Sequence, residues 1–193
     1  MPAQSVCLIR HGETEWSLNG RHTGTTDIPL TEHGRNVARQ WKPVASQQTF
    51  ALVMTSPLQR ARETCELSGL GQQTEVDNDL REWNYGEYEG LTIKQIQAQR
   101  PSWLIFTDGC PGGESPDQIQ ARIDRVIKKV RGVQGDVALF SHGHFLRCFG
   151  ARWLGLRAEE GRFFLLDPAT VSVLSYYRGI PAVDRWNAPI IFK

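Results

Sequence analysis

Three things are scarce in this sequence: excess charge of either sign, paired cysteine, and any long apolar run. Across 193 residues, 22 Lys and Arg stand against 21 Asp and Glu, a formal net charge of +1. No overall field therefore draws the chain to nucleic acid or an anionic membrane, and any bound anion must be met by a local cluster of side chains. Nor does a basic stripe or an aromatic platform mark a surface for bases, so neither nucleic acid nor membrane is expected as a partner. The four cysteines, Cys7, Cys65, Cys110 and Cys148, are scattered singly. Their spacing excludes a zinc knuckle and a disulfide scaffold and leaves ordinary reduced thiols. With no apolar run of membrane-spanning length and no signal-peptide pattern at the N-terminus, the expected location is the cytoplasm. Repeats, low-complexity tracts and linkers are missing too. A chain of 193 residues holds one well-buried core and would crowd a second, so residues 1–193 are expected to form a single domain. Composition assigns no oligomeric state.

What is present is an alternation of strands and helices. VCLI from Val6, ALVM from Ala51 and VALF from Val137 are continuous apolar runs, the pattern of strands buried on both faces of a parallel sheet. Polar turns and helical patterns follow each of them. Ser115, Pro116 and Asp117 combine a capping hydroxyl, a first-turn proline and an acid at the positive dipole end, which predicts a helix start. Ile119, Ile123, Val126, Ile127 and Val130 give that helix one apolar face, and Gly132 after Lys128, Lys129 and Arg131 predicts its end. A weaker helix is predicted from Thr31 to about Ala45. The stretch from Leu80 to Gly113 reads as loops around a short helix near Thr92 to Gln99, and Val171 to Tyr177 as a further strand. After Pro181 the pattern is too short and mixed for an assignment. Alternating elements imply βαβ units and a sheet covered on both faces.

In such sheets ligands bind outside the carboxyl ends of the strands. The residues following the three apolar runs read RHGET, TSPLQRA and SHGH. They deliver Arg10 and His11, then Arg60 near the start of a helix, then His142. Each alone has an ordinary reading: a surface turn, a solvated arginine, a core histidine bonded to backbone. Their common position after buried strands is what predicts a site, and two arginines with two histidines suit a tetrahedral dianion. A metal held by His11, His142 and His144 is disfavoured, because the arginines would repel a cation and no carboxylate sits at a ligand spacing. Neither metal nor cofactor is expected.

RHGETEW, SPLQRA with Thr64, the acidic LREWNYGEYEG and the late SHG together resemble the histidine phosphatase superfamily, which includes phosphoglycerate mutases and many phosphatases. The resemblance runs through GRHTG, the LTEHG helix start and GGES, and covers nearly the whole chain. It implies a phosphoglycerate mutase-like α/β fold, a three-layer α/β/α sandwich with a mostly parallel central sheet. It implies His11 as a nucleophile that is neutral at attack, with Arg10, Arg60 and a cationic His142 holding phosphate oxygens in place of a metal. Glu82 is implied as the proton donor, although the residues alone do not separate it from Glu87 and Glu89 in a solvated acidic loop. Ser17, Thr23, Gly24, Tyr85 and Gly143 are the implied substrate contacts, and Ser17 departs from the asparagine usual in the mutases. His144 and Arg147 are expected close behind His142, as support at the start of a helix.

The chain is shorter than the mutases and lacks room between Glu82 and His142 for their long insertion, so hydrolysis of the intermediate is the expected outcome. LREWNYGEYEG, DGCPGGES, SHGHFLRCFGARWLGL and FLLDPATVSVLSY look like the sedoheptulose-1,7-bisphosphatase branch, with a shorter segment between GARWLGL and FLLD. The expectation is a metal-independent phosphomonoester hydrolase whose partner is a small sugar phosphate. Its alternatives are a phosphoglycerate mutase and a phosphate-binding module without catalysis.

Overall fold

The computed structural model describes residues 4–189. Six strands form one sheet: β1 (Val6–Arg10), β2 (Phe50–Thr55), β3 (Thr74–Val76), β4 (Asp136–Ser141), β5 (Thr170–Tyr177) and β6 (Ile180–Pro189). Eight α-helices accompany them among the described residues: α1 (Glu15–Leu18), α2 (Glu32–Arg39), α3 (Lys42–Ala45), α4 (Gln59–Leu67), α5 (Ile93–Gln99), α6 (Ile105–Asp108), α7 (Pro116–Arg131) and α8 (Gly143–Trp153).

Strand order is β3-β2-β4-β1-β5-β6. The pairs β2–β3, β2–β4 and β1–β4 are parallel, and β1–β5 and β5–β6 are antiparallel. The three continuous apolar runs are thus the three adjacent strands β2, β4 and β1, as doubly covered strands should be. Successive residues point to opposite faces. Val6, Leu8, Val137 and Leu139 join the larger core cluster with Ile119, Ile123 and Phe145 from α7 and α8. Their neighbours Cys7, Ile9, Ala138 and Phe140 join the smaller cluster with Trp41 and Cys65. Helices therefore cover both faces, and the three-layer α/β architecture is present, with a mixed sheet whose parallel part, β3-β2-β4-β1, runs in from one edge and whose antiparallel part, β5 and β6, forms the other.

Ser115 caps α7 as the sequence predicts: its side chain accepts from the Gln118 N–H, and Gln118 reaches back in a capping box. Two local expectations are corrected. The helix from Thr31 to Ala45 is two helices, α2 and α3, broken at Gln40 and Trp41. Pro43 has no N–H to continue the ladder and its ring crowds the preceding turn, so the second helix restarts with the proline in its first turn. The described part of the segment after Pro181, to Pro189, belongs to the ten-residue strand β6 that begins at Ile180, an edge strand stabilised by pairing with β5, which its own mixed sequence does not advertise. Among the described residues, no helix is long and apolar enough to cross a membrane.

Candidate active site

Because β2, β4 and β1 are adjacent and parallel, their carboxyl ends bring Ser56, His142 and His11 to one rim. His11 follows β1 directly, with its amide bonded to the Ser141 carbonyl at 3.0 Å. Its Nδ1 lies 2.7 Å from the Gly12 carbonyl oxygen. A carbonyl only accepts, so Nδ1 carries the proton and the lone pair is on Nε2. The Gly12 peptide is itself held, its N–H donating to Thr64 Oγ1 at 3.0 Å while that hydroxyl donates to the Arg60 carbonyl. Burial, then the Arg60 and Arg10 charges, hold the His11 ring well below the usual histidine pKa. It is a neutral imidazole, the form a nucleophile requires.

The two arginines differ. Arg60 is fully buried on α4. It donates from Nε to His142 Nδ1 at 3.1 Å, from Nη1 to the Thr26 carbonyl, and from Nη2 to the Thr23 and Gly24 carbonyls, each at 3.0 Å. Most of its donors thus organise the Thr23–Thr26 loop. Arg10 donates from Nη1 to the Leu166 carbonyl, and its buried Nε has no partner among the described residues. An unspent buried guanidinium donor is an anion-binding group in waiting, since leaving it unbonded costs free energy. Gly143 makes room for it: a Cβ there would stand 3.2 Å from the Arg10 Cζ.

His142 requires a correction. Its Nδ1 accepts from Arg60 and its Nε2 lies 2.8 Å from Ser56 Oγ. Burial, then Arg60 and His11, keep it well below the usual histidine range. It is a neutral ring between Arg60 and Ser56, not the expected cation, because a proton on Nδ1 would face the guanidinium donor. Its ring centroid is 5.1 Å from that of His11.

A cleft of about 190 Å³ opens above this cluster, lined by Arg10, His11, Ser17, Thr23, Glu82, Tyr85 and Gly143, together with Arg21, His22, His144, Arg147 and Leu166. Arg60 and His142, both 0% exposed, lie beneath its surface. Gly24 is not in the lining; its amide and carbonyl serve Glu89 and Arg60. Ser17 also closes the capping box of α1 with Thr14. The expected place of His144 and Arg147 behind His142 is corrected, because α8 turns both onto the cleft wall. There His144 Nδ1 is 2.6 Å from Tyr85 Oη, and the Arg147 guanidinium lies over Phe106. Tyr85 and His144 are held neutral: burial and Glu82 push the Tyr85 phenol up, while burial and Arg147 push His144 down. Arg21, His22 and Ser56 carried no signal of their own; the first two sit in GRHTG, which the motif itself could have flagged.

The structure separates the three acids. Glu87 is exposed, and Glu89 accepts from the Gly24 and Thr26 amides. Glu82 is 7% exposed and lines the cleft. Its Oε1 accepts from the Trp83 and Phe145 amides and its Oε2 from the His144 amide, at 2.8–3.0 Å. It therefore caps the N-terminus of α8, where His142 provides no side-chain cap. With two bonds on Oε1 and one on Oε2, the second oxygen is the one with room for a proton.

A neutral imidazole, an unspent guanidinium donor and a carboxyl group share one cleft, a combination whose chemistry suits phosphoryl transfer. Residues 6–189 match the histidine phosphatase superfamily (branch 1). An acid phosphatase of Mycobacterium tuberculosis is 40% identical over 179 residues, covering 91% of this chain and 88% of that protein. The sedoheptulose 1,7-bisphosphatase of Saccharomyces cerevisiae is 37% identical over 185 residues, covering 79% of this chain and 68% of that one. The solved structure of an open reading frame from Mycobacterium tuberculosis superimposes with a TM-score of 0.93 at 36% identity, covering 97% of this chain and 99% of the other. The chain belongs to the histidine phosphatase superfamily, and its activity class is that of a phosphatase.

Proposed function

We propose that the protein hydrolyses small sugar phosphates through a phosphohistidine on His11, with no metal and no cofactor. The observation that carries this reading is the locked His11 tautomer: Nδ1–H is tied to Gly12, so Nε2 presents its lone pair in a cleft beside the Arg10 donors. The P–O bond to the leaving oxygen breaks as the Nε2–P bond forms, and the proton on Glu82 goes to that oxygen. Glu82 as carboxylate then takes a proton from the water that cleaves the N–P bond, releasing phosphate. Arg10 meets the equatorial oxygens. Arg60 below adds its charge to the positive field and holds the Thr23–Thr26 loop through the Thr23, Gly24 and Thr26 carbonyls, while the neutral His142 accepts from its Nε.

A sugar phosphate suits the lining, in which every side chain except that of Leu166 carries a polar group. His22 donates from Nδ1 to the Leu91 carbonyl at 2.8 Å, so its Nε2 is an acceptor for a substrate hydroxyl. Arg21 and Arg147 stand in the wall and in no ion pair among the described residues. They supply charge beyond what one phosphate neutralises, which favours a bisphosphate such as the one named for the yeast relative. The four thiols are free and buried, which suits a reducing compartment, and the proposed location is the cytoplasm. A small phosphorylated molecule is the partner assigned; nucleic acid and membrane have no part in this reading.

The test is chemical. Rapid quench of the wild type with ³²P-labelled substrate is expected to trap an acid-labile, alkali-stable phosphoenzyme on the peptide containing His11. His11→Ala should lose turnover entirely while still binding phosphate. A wild type that turns over substrate in single-turnover experiments with no such adduct would overturn the covalent mechanism.

A further inference from the structure

The GGES motif and the buried arginine of α7 are not used by the chemistry above, yet they meet at the segment that bears Glu82. Arg122 is 9% exposed and spends all five guanidinium N–H donors. From Nη1 it donates to the Asp79 and Arg81 carbonyls, and from Nη2 to the Glu82 carbonyl at 3.3 Å. Nε and Nη2 also form a two-point pair with Glu114, at 3.0 and 2.8 Å. Glu114 in turn accepts from the Asn84 amide through Oε2, and its backbone carbonyl accepts from Trp83 Nε1. Its amide donates to the Asn84 carbonyl at 2.9 Å. The chain before and after Glu82 is thus gripped from one side by a single planar fork and its carboxylate.

From the other side, α8 holds the Glu82 carboxyl group through the His144 and Phe145 amides. The Phe145 ring lies under the Arg122 guanidinium, 5.1 Å from centroid to Cζ. Gly113 allows this close approach, because a Cβ there would stand 2.2 Å from the Asn84 carbonyl oxygen. Backbone and carboxyl group of one residue are therefore fixed by two different helices.

We propose that Arg122 and Glu114 are positioning residues for the proton donor: they hold the Glu82 backbone so that its carboxyl group meets the leaving oxygen. The proposal rests on the reading of Glu82 as the acid. A lysine at 122 keeps the charge but is a point donor that cannot span carbonyls of three residues and a carboxylate. A glutamine at 114 keeps the volume and replaces one acceptor with donors that oppose Arg122 and the Asn84 amide.

The experiment compares Arg122→Lys, Glu114→Gln, Glu82→Gln and the double variant Arg122→Lys/Glu82→Gln on an alkyl phosphate and on p-nitrophenyl phosphate, whose leaving group needs no proton. All are assayed below their melting transitions as followed by circular dichroism. Misplacing the acid should lower kcat on the alkyl phosphate by about 10- to 100-fold, with KM and the p-nitrophenyl phosphate rate within about twofold of wild type. The double variant should lose no more than Glu82→Gln alone, because both changes act through one group. If Arg122→Lys and Glu114→Gln slow both substrates equally, or their losses add to that of Glu82→Gln, the pair is structural only and the positioning role is wrong, while the phosphatase mechanism stands. If Glu82→Gln itself slows both substrates equally, the acid assignment fails and the positioning role fails with it.

Discussion

At the scale of single residues, the site works by making ordinary groups scarce in their usual partners. Arg10 keeps a buried Nε without a partner among the described residues, and His11 keeps Nε2 because Nδ1 is committed to Gly12. Charge stabilisation supplied by guanidinium groups does not depend on a divalent ion. Turnover is therefore expected to be unchanged in EDTA after dialysis against chelator. Loss of activity that Mg²⁺ or Zn²⁺ restores would show that a metal carries part of the charge. Arg10→Ala should lower kcat by about 10²–10³-fold, the usual cost of losing a preorganised donor. Arg60→Ala should cost stability as well, because four bonds that hold the Thr23–Thr26 loop and His142 disappear together. His142 shows where residue type misleads: beside Arg60 its Nδ1 accepts rather than donates, and burial lowers its affinity for a second proton.

At the scale of elements, the ends of helices do most of the work. α8 begins at the cleft, and its first amides are satisfied by Glu82, far away in sequence, while α7 begins with its own local cap at Ser115. That difference predicts separable effects. Ser115→Ala removes a cap outside the site and should cost about 1 kcal/mol, a fall of roughly 2–4 °C in melting temperature, with kcat unchanged. A thermal melt beside an activity assay checks both halves. Where the sequence is locally consistent, as at Ser115-Pro116-Asp117, the element was legible to the residue. Where the element depends on a neighbour, it was not. β6 is a strand because β5 offers it a ladder, and α2 and α3 separate because one proline outweighs an apolar face.

At the scale of the whole molecule, the sheet places uncharged histidines at the centre of a folded chain. His11, His142 and His144 are all held well below the usual value, 6.5, mainly by burial. A folded-state pKa below the unfolded one means that the unfolded chain takes up protons first as pH falls. Stability from these groups is present above about pH 6.5 and declines below it, by up to about 1.4 kcal/mol per pH unit for each histidine that titrates only on unfolding. Denaturant midpoints should therefore drop between pH 7 and pH 5. The drop should be smaller in His144→Gln, which removes one such group. An unchanged slope in that variant would show that His144 does not titrate on unfolding.

Local sequence determined the strands β1, β2 and β4, the cap of α7 and the placing of Arg10, His11, Arg60 and His142 at or just beyond strand ends, because continuous apolar runs and capping residues act within a few positions. Tertiary structure decided the rest. It set Glu82, alone of the three acids, in the cleft at the start of α8, took Gly24 out of the cleft lining, and turned Arg21, His22, His144 and Arg147 onto the wall. It also fixed the protonation of His142, since hydrogen-bond partners 82 and 86 residues away and removal from water set a ring's charge, and neither is encoded in its neighbours along the chain.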